Sequence, residues 1–363
     1  MRHRFHSLCP YFAMFPESFV QKHLIWTQPG DLVLDPFSGR GTTVLESLLC
    51  HREALAGDTN PVAVCVSRAK ADPPGLGRLL ERIAELAKEF TGWPEPSDEV
   101  LNDEFFTLCF EESTLRQLLF LRTRLDWKDR RTDRFIAALA LGCLHGESHK
   151  TEWCFSNRMP RTISTKPGYS VRWWREQKCT PPRRDVFAIL GQLARYRYES
   201  PLPNRRGRVA ACDARHLAGR FPDARGRVAL VVTSPPYIDT TNYREDQWLR
   251  LWFLGGLPRP ESIGANDDRH RVAANYWQFL TEAWAGIAPL LRDGAHLIIR
   301  IGGRHIEREA AAVSLRRSIK DGAQASVRLI DRHTSRITNG QLKAFRPGAG
   351  GIQVEHDFHF RVG

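Results

Sequence analysis

Val228-Ala229-Leu230-Val231-Val232 is an unbroken apolar run that stops abruptly at Thr233-Ser234-Pro235-Pro236-Tyr237. A run without polar alternation is what a strand needs when both of its faces are covered, so it predicts a buried parallel strand in an α/β sheet. The polar pentapeptide then sits at the carboxyl end of that strand, where open α/β sheets bind their ligands. Two prolines stiffen the loop and leave backbone carbonyls facing outward. The Ser234 hydroxyl and the Pro235 carbonyl can accept hydrogen bonds from an exocyclic NH2, and the Tyr237 ring can stack on a flat base.

A second strand tip lies near the N-terminus. Asp31-Leu32-Val33-Leu34 reads as a strand running into Asp35-Pro36-Phe37-Ser38-Gly39-Arg40-Gly41-Thr42-Thr43, and Val44-Leu45-Glu46-Ser47-Leu48-Leu49 continues as a helix. Two glycines let a backbone approach a ligand closely, and an acidic residue at the strand tip can accept from an ammonium or hydroxyl group. A phosphate loop would place a lysine after the last glycine, where this chain has Thr42-Thr43. Glu53-Ala54-Leu55-Ala56-Gly57 looks like the next strand, ending in Asp58-Thr59-Asn60-Pro61. Asp58 follows the glycine turn at about the spacing at which an acidic residue meets a ribose diol, which points to an adenosine compound.

Together, Asp35-Pro36-Phe37-Ser38-Gly39-Arg40-Gly41-Thr42-Thr43 and Thr233-Ser234-Pro235-Pro236-Tyr237 resemble the S-adenosylmethionine-dependent DNA methyltransferases of the N4-cytosine and N6-adenine type. Phe15-Pro16-Glu17-Ser18-Phe19 is similar to the family's segment before the first strand, and Asn242-Tyr243 through Trp252-Phe253-Leu254-Gly255 to the region after its catalytic loop. The resemblance implies a Rossmann-like class I methyltransferase: α/β, with a mixed, mainly parallel seven-stranded sheet and, here, a largely helical insertion. It implies a cofactor site of Phe15, Asp35, Pro36, Phe37, Gly39, Gly41, Thr42, Thr43, Asp58, Asn60 and Asp213, the last meeting the adenine amino group. Ser234, Pro235, Pro236 and Tyr237 become the catalytic residues. Ser234, in place of aspartate or asparagine, resembles the N4-cytosine members more, with adenine and RNA amino groups left open. In the family, members with the cofactor motif first set their recognition region just before the catalytic loop or after the sheet, whereas here the long insert precedes the Asp213 strand.

The domain reading is residues 1–71 as the cofactor half, 72–208 as a mainly helical insertion and candidate recognition region, and 209–363 as the rest of the catalytic domain. Within the insertion, Leu79-Leu80, Ile83, Leu86-Ala87 and Phe90 share one helical face, Leu115, Leu118-Leu119 and Leu121-Leu125 another, and Phe135 to Leu144 is apolar enough to be buried. The later part interleaves cations and aromatics with little regular period: Arg158, Arg161, Lys166, Tyr169, Arg172, Trp173 and Trp174. Cations can meet phosphates or guanine edges and aromatics can stack on an exposed base, so these are candidate DNA contacts; Trp173 and Trp174 could instead anchor a long loop.

Past the catalytic loop, Tyr276 through Leu291 reads as a helix, Asp293-Gly294 as a turn and Ala295 to Ile301 as a strand. Val327-Ile330 and Val354-Phe360 supply two last strands. The glycine-rich stretch between them, carrying Arg336 and Arg346, either borders the target base or is an ordinary hairpin loop. His356 and His359 are read as half-exposed residues on one face of the final strand rather than metal ligands.

Lys plus Arg total 53 against 41 for Asp plus Glu, a formal charge of +12 that suits a polyanionic partner such as double-stranded DNA. Eight cysteines without a Cys-x-x-Cys pair signal neither a zinc ribbon nor a disulfide framework, and no metal is expected. No stretch of about 18 apolar residues occurs, and Met1-Arg2-His3-Arg4 leads into no signal-like segment, so a cytoplasmic location is expected. A cognate restriction endonuclease is a possible partner, and a monomer and a homodimer both remain open. A noncatalytic DNA-binding specificity partner would be expected to lose the cofactor glycines or the Pro-Pro loop, and this chain has both. An NAD-dependent oxidoreductase fails on the glycine spacing.

Overall fold

The buried run predicted at Val228–Val232 forms the centre of a seven-stranded sheet. The structure, a computed structural model, describes residues 2–11, 15–94, 96, 99–147, 152–159, 166–237, 247–260, 273–302, 306–336 and 354–363. It divides into two units, one of residues 1–10, 73–202 and 242–263, the other of 11–72, 203–241 and 264–363.

The second unit holds the sheet. Its strands are β1 (Leu32–Asp35), β2 (Glu53–Asp58), β3 (Arg208–Ala211), β4 (Val228–Thr233), β5 (Leu291–Gly302), β6 (Val327–Arg336) and β7 (Val354–Val362). Their order is β3-β2-β1-β4-β5-β7-β6. All neighbours pair in parallel except β7, which is antiparallel to both β5 and β6. This is the mixed, mainly parallel α/β sheet expected from the sequence. The order reverses direction between β1 and β4, which makes the carboxyl ends of those two strands the topological switch point.

Helices α1 (Glu17–His23), α2 (Thr42–Leu49), α3 (Pro61–Ala71), α4 (Ala273–Ile287) and α5 (Arg308–Ala323) cover the sheet. On one face Leu34, Val231, Leu297, Ile299 and Phe358 pack with Tyr276, Leu280, Trp284, Leu315 and Ile319 of α4 and α5. On the other, Val33, Leu230, Val232 and Ile298 pack with Phe15, Phe19 and Val20. With apolar helices on both sides every residue of β4 is buried, which is why its sequence shows no alternation. At about 1.5–3 kcal/mol per fully buried aliphatic side chain, that strand is among the firmest parts of the sheet.

Two details differ from the sequence reading. β5 begins at Leu291 rather than Ala295: Gly294, read as a turn, has φ +70° and sits inside the strand where its pairing with β4 shifts register. His356 and His359 are buried, and an odd separation along a strand puts them on opposite faces. His356 contacts Thr334 and the Ile306 carbonyl, whereas His359 faces His296 at 2.7 Å, beside Trp26.

The first unit is helical. Leu76–Thr91, Glu112–Arg124, Arg131–Cys143 and Val186–Arg197 are its longer helices, and the leucine stripes read from the sequence are buried, apart from the half-buried Leu80, Ala87 and Phe90. Residues 167–176, expected to lack periodic structure, form a helix instead: Pro167 presets the first turn, and Ser170 and Trp174 make a buried i, i+4 pair. No helix among the described residues is long and apolar enough to cross a membrane.

Candidate functional site

The glycine loop leaving β1 is shaped by its own backbone and near neighbours. Ser38 N–H donates to the Gly57 carbonyl at 2.9 Å, and Gly41 N–H to the Ser38 carbonyl at 2.7 Å. Gly39 (φ +48°) and Gly41 (φ +73°) both lie in the left-handed region. A Cβ on Gly41 would stand 2.8 Å from Ser67 Oγ and 3.0 Å from Ser67 Cα, so α3 packs directly on the turn. Ser67 Oγ donates to the Gly39 carbonyl, and the buried Lys70 ammonium donates to the Arg40 carbonyl at 2.5 Å. Sequence reading missed both side chains; the available signal was their spacing of one turn in the helix that follows the second strand.

Two carboxylates flank this loop at adjacent strand ends. Asp35 Oδ1 accepts from Thr233 Oγ1 at 2.7 Å and from Phe37 N–H at 3.1 Å. Asp58 accepts from Gly39 N–H at 2.8 Å and from Asn60 N–H at 2.9 Å. Burial pushes Asp35 up to about 6, against the pull of the Thr233, Thr43 and Phe37 hydrogen bonds, and the Asp58 charge adds to the rise. Burial likewise pushes Asp58 up to about 6, although three backbone N–H groups favour its charged form. A buried and a partly exposed carboxylate, both with elevated protonation values, are poised for a cationic or hydroxyl-bearing ligand.

The structure sorts the predicted cofactor residues into two layers. Phe37, Gly39, Asp58, Asn60 and Asp213 remain partly exposed, whereas Phe15, Asp35, Pro36, Gly41, Thr42 and Thr43 are buried behind them. Phe15 packs on Phe19 in the core. Thr42 Oγ1 accepts from Arg40 Nε, and Thr43 Oγ1 donates to the Val232 carbonyl at 3.0 Å, so both threonines brace the loop. Asp213, two residues past β3, is held bidentately by Arg215 at 3.0 Å per bond, and Arg215 reaches on to Glu282. Asp213 Oδ1 also accepts from the Arg215 backbone N–H at 3.0 Å.

Ser234 follows Thr233 directly, so the Thr233–Asp35 hydrogen bond brings the Ser234 loop and the glycine loop together at the switch point. Ser234 and Pro236 are partly exposed and Pro235 is buried. Tyr237 corrects the sequence expectation: its ring is 2% exposed, so it is not free to stack on a base. Its hydroxyl donates to Glu355 Oε1 at 2.7 Å, and burial raises the phenol well above its ordinary value. Glu355 Oε2 accepts from Arg300 at 3.1 Å, and Arg300 pairs with Asp357 at 2.6 and 2.9 Å while lying over the Phe19 ring. Replacing such a buried ionic group by apolar residues is often neutral or stabilising, whereas removing one partner costs about 3–5 kcal/mol, so stability alone does not explain the network. The available signal was Glu355 and Asp357 alternating with Phe358 and Phe360 in β7, and an arginine inside the apolar strand β5.

In the helical unit, Arg158, Lys166, Tyr169 and Arg172 are exposed, and Tyr169 and Arg172 share a face of the 167–176 helix. Trp174 is a second correction: it is fully buried against Phe105 and donates to the Arg158 carbonyl at 2.6 Å, so it anchors the segment and cannot stack on a base. Trp173 is half-buried, and Arg336, at the end of β6, is exposed. Arg161, Arg346, Asn242 and Tyr243 lie outside the described residues.

Residues 3–67 match the DNA methylase family profile (N6_N4_Mtase), which bears out the resemblance to amino-methyltransferases of the N4-cytosine/N6-adenine type. No curated protein matches the chain. Among solved structures, TrmN from Thermus thermophilus aligns with a TM-score of 0.37 and 12% identity, covering 99% of this chain and 53% of that one. The rRNA methyltransferase aviRa from Streptomyces viridochromogenes aligns with a TM-score of 0.33 and 12% identity, covering 99% and 94%. The chain thus spans about half the length of the first. At these scores neither likeness bears on substrate or reaction.

Proposed function

We propose that this protein is an S-adenosylmethionine-dependent methyltransferase that modifies an exocyclic amino group in double-stranded DNA, with N4 of cytosine as the favoured acceptor. The observation that carries the reading is the Thr233–Asp35 hydrogen bond at the switch point, which puts the amine-accepting Ser234 beside the loop that suits an adenosine cofactor. The donor set fits that cofactor: positive-φ glycines give close backbone approach, Asp58 and Asn60 offer acceptors to a ribose, and Asp35 and Asp58 offset a cationic methionine part. When bound, S-adenosylmethionine supplies an electrophilic methyl on a sulfonium.

The chain's own groups then do the positioning. An exocyclic amine is a weak nucleophile because its lone pair is delocalised into the ring, and acceptors at Ser234 and the Pro235 carbonyl help the nitrogen pyramidalise and aim. No strong base is required, since the amine proton becomes acidic as positive charge builds on nitrogen. In a duplex the target nucleotide must leave the stack, at about a few kcal/mol. The net charge of +12 and the exposed Arg158, Lys166, Tyr169 and Arg172 supply the phosphate attraction that offsets this cost.

The test is mass spectrometry of nucleosides from DNA and RNA of cells expressing the protein. N4-methylcytosine in DNA is the expected product. N6-methyladenine would move the acceptor, methylated RNA alone would move the polymer, and no new methylated nucleoside in either would refute the reading.

A further inference from the structure

Tyr11 lies against the glycine loop, beside the carboxylate that suits a ribose, and we propose that its ring is a wall of the cofactor site, packing on the adenosyl part of S-adenosylmethionine. The inference deepens the proposed function and rests on it for the identity of the ligand. Contacts at both ends place the ring. At one end its Cε1 and Cδ1 stand 3.4 and 3.8 Å from where a Cβ on Gly39 would be, so the ring is separated from the loop backbone by little more than the space a side chain would take. At the other end its hydroxyl oxygen accepts from Asn60 Nδ2 at 3.1 Å. A second bond settles the orientation of that amide: Asn60 caps α3, and its Oδ1 accepts from Val62 N–H at 3.0 Å, which leaves the NH2 as the group facing the phenol.

The same two residues hold Asp58. Gly39 N–H donates to one of its oxygens and Asn60 N–H to the other. The Tyr11 side chain thus reaches from Gly39 to Asn60, the two residues that carry the Asp58 carboxylate between them. Tyr11, Gly39, Asp58 and Asn60 all remain partly exposed, in contrast with the buried Asp35, Thr42 and Thr43 behind them. A tyrosine that only braced the loop would gain most by burying its ring, whereas this one leaves part of it open next to an acceptor for a sugar. An aromatic surface in that place offers a purine or a ribose apolar contact and keeps water from its hydrogen bonds to Asp58. Ligands that share the adenosyl part should therefore feel the wall equally, with or without the amino-acid end.

Calorimetry of wild type, Tyr11→Phe and Tyr11→Ala with S-adenosylmethionine, S-adenosylhomocysteine and methylthioadenosine tests this, the last keeping the adenosyl part without the amino acid. Tyr11→Ala should bind all three about tenfold more weakly. Tyr11→Phe, which keeps the ring and loses only the bond to Asn60, should stay within about threefold of wild type. A loss in Tyr11→Ala that spared methylthioadenosine would overturn the proposal. Hydroxyl-radical footprinting of the wild-type protein then separates a ligand contact from a brace: Tyr11 should be protected by S-adenosylhomocysteine and by methylthioadenosine, while the exposed Tyr169 of the helical unit should not. Tyr11 oxidised equally with and without ligand would overturn the proposal even if Tyr11→Ala bound weakly, because a brace alone would give that result. Wild type that binds none of the three ligands would refute the cofactor reading and this inference with it, whereas wild type that binds them while Tyr11→Ala binds equally well would refute this inference alone.

Discussion

The glycine loop and the Ser234 loop meet at one strand boundary, yet they are held by different means. The glycine loop is set locally, by backbone bonds from Ser38 to Gly57 and from Gly41 to Ser38 and by the Asp58, Ser67 and Lys70 side chains of the same βαβ unit. The Ser234 loop is set by side chains from far along the chain, Tyr237 to Glu355 and Glu355 to Arg300. A site can thus have one half that is nearly self-sufficient and another that exists only once the terminal strands are in place. Cofactor affinity and turnover should accordingly be separable.

The largest expected effect breaks the locally held half. Gly41→Ala introduces a Cβ 2.8 Å from Ser67 Oγ at φ +73°, and should cost about 2–4 kcal/mol of stability and abolish detectable S-adenosylmethionine binding by calorimetry. Near-normal binding would show that the loop does not need its glycine. Next, Ser234→Ala should cut methyl transfer by about 10²- to 10³-fold with cofactor affinity within about twofold, measured by single-turnover kinetics and calorimetry. A parallel loss of affinity would join the two halves.

The pH dependence sharpens the comparison further. Asp35 and Asp58 titrate near 6, so S-adenosylmethionine affinity should fall as pH drops through that value, whereas a site held by neutral groups would stay level. For stability the sign runs the other way. A carboxyl raised in the folded state contributes stability that is fully present below its unfolded value of about 4 and is lost as pH rises through about 6. Asp35→Asn should therefore gain on the wild type in unfolding free energy between pH 5 and pH 8, by about 1–2 kcal/mol in denaturant melts, while losing cofactor affinity. A constant difference across that range would mean Asp35 is not strained by its burial. The smallest effect lies in the other unit: Arg172→Ala should weaken DNA binding two- to threefold and reduce the salt slope by about one, in filter binding at several salt concentrations.

That difference in construction also explains what the sequence disclosed. β1, β4 and the two strand-end motifs were legible because each is a local pattern: an apolar run, a glycine turn, an acidic residue at a tip. Asp35 and Thr233 could be placed at a common edge from topology alone. Tyr237 was misread because its neighbours Glu355 and Arg300 are more than 60 residues away, and an aromatic beside a ligand loop looks the same whether it faces a base or a carboxylate. Trp174 failed for a related reason. In a segment dense with arginine its local sequence looks like a nucleic-acid surface, while the partners that bury it, Phe105 and the Arg158 carbonyl, belong to other elements.

The most direct measurement loads the protein with S-adenosylmethionine carrying a tritiated methyl and follows a single turnover onto duplex DNA in wild type, Asp35→Asn and Ser234→Ala. The account predicts rapid transfer in wild type, no retained cofactor in Asp35→Asn, and full loading with slow transfer in Ser234→Ala. Transfer at the wild-type rate by a loaded Ser234→Ala protein would contradict it.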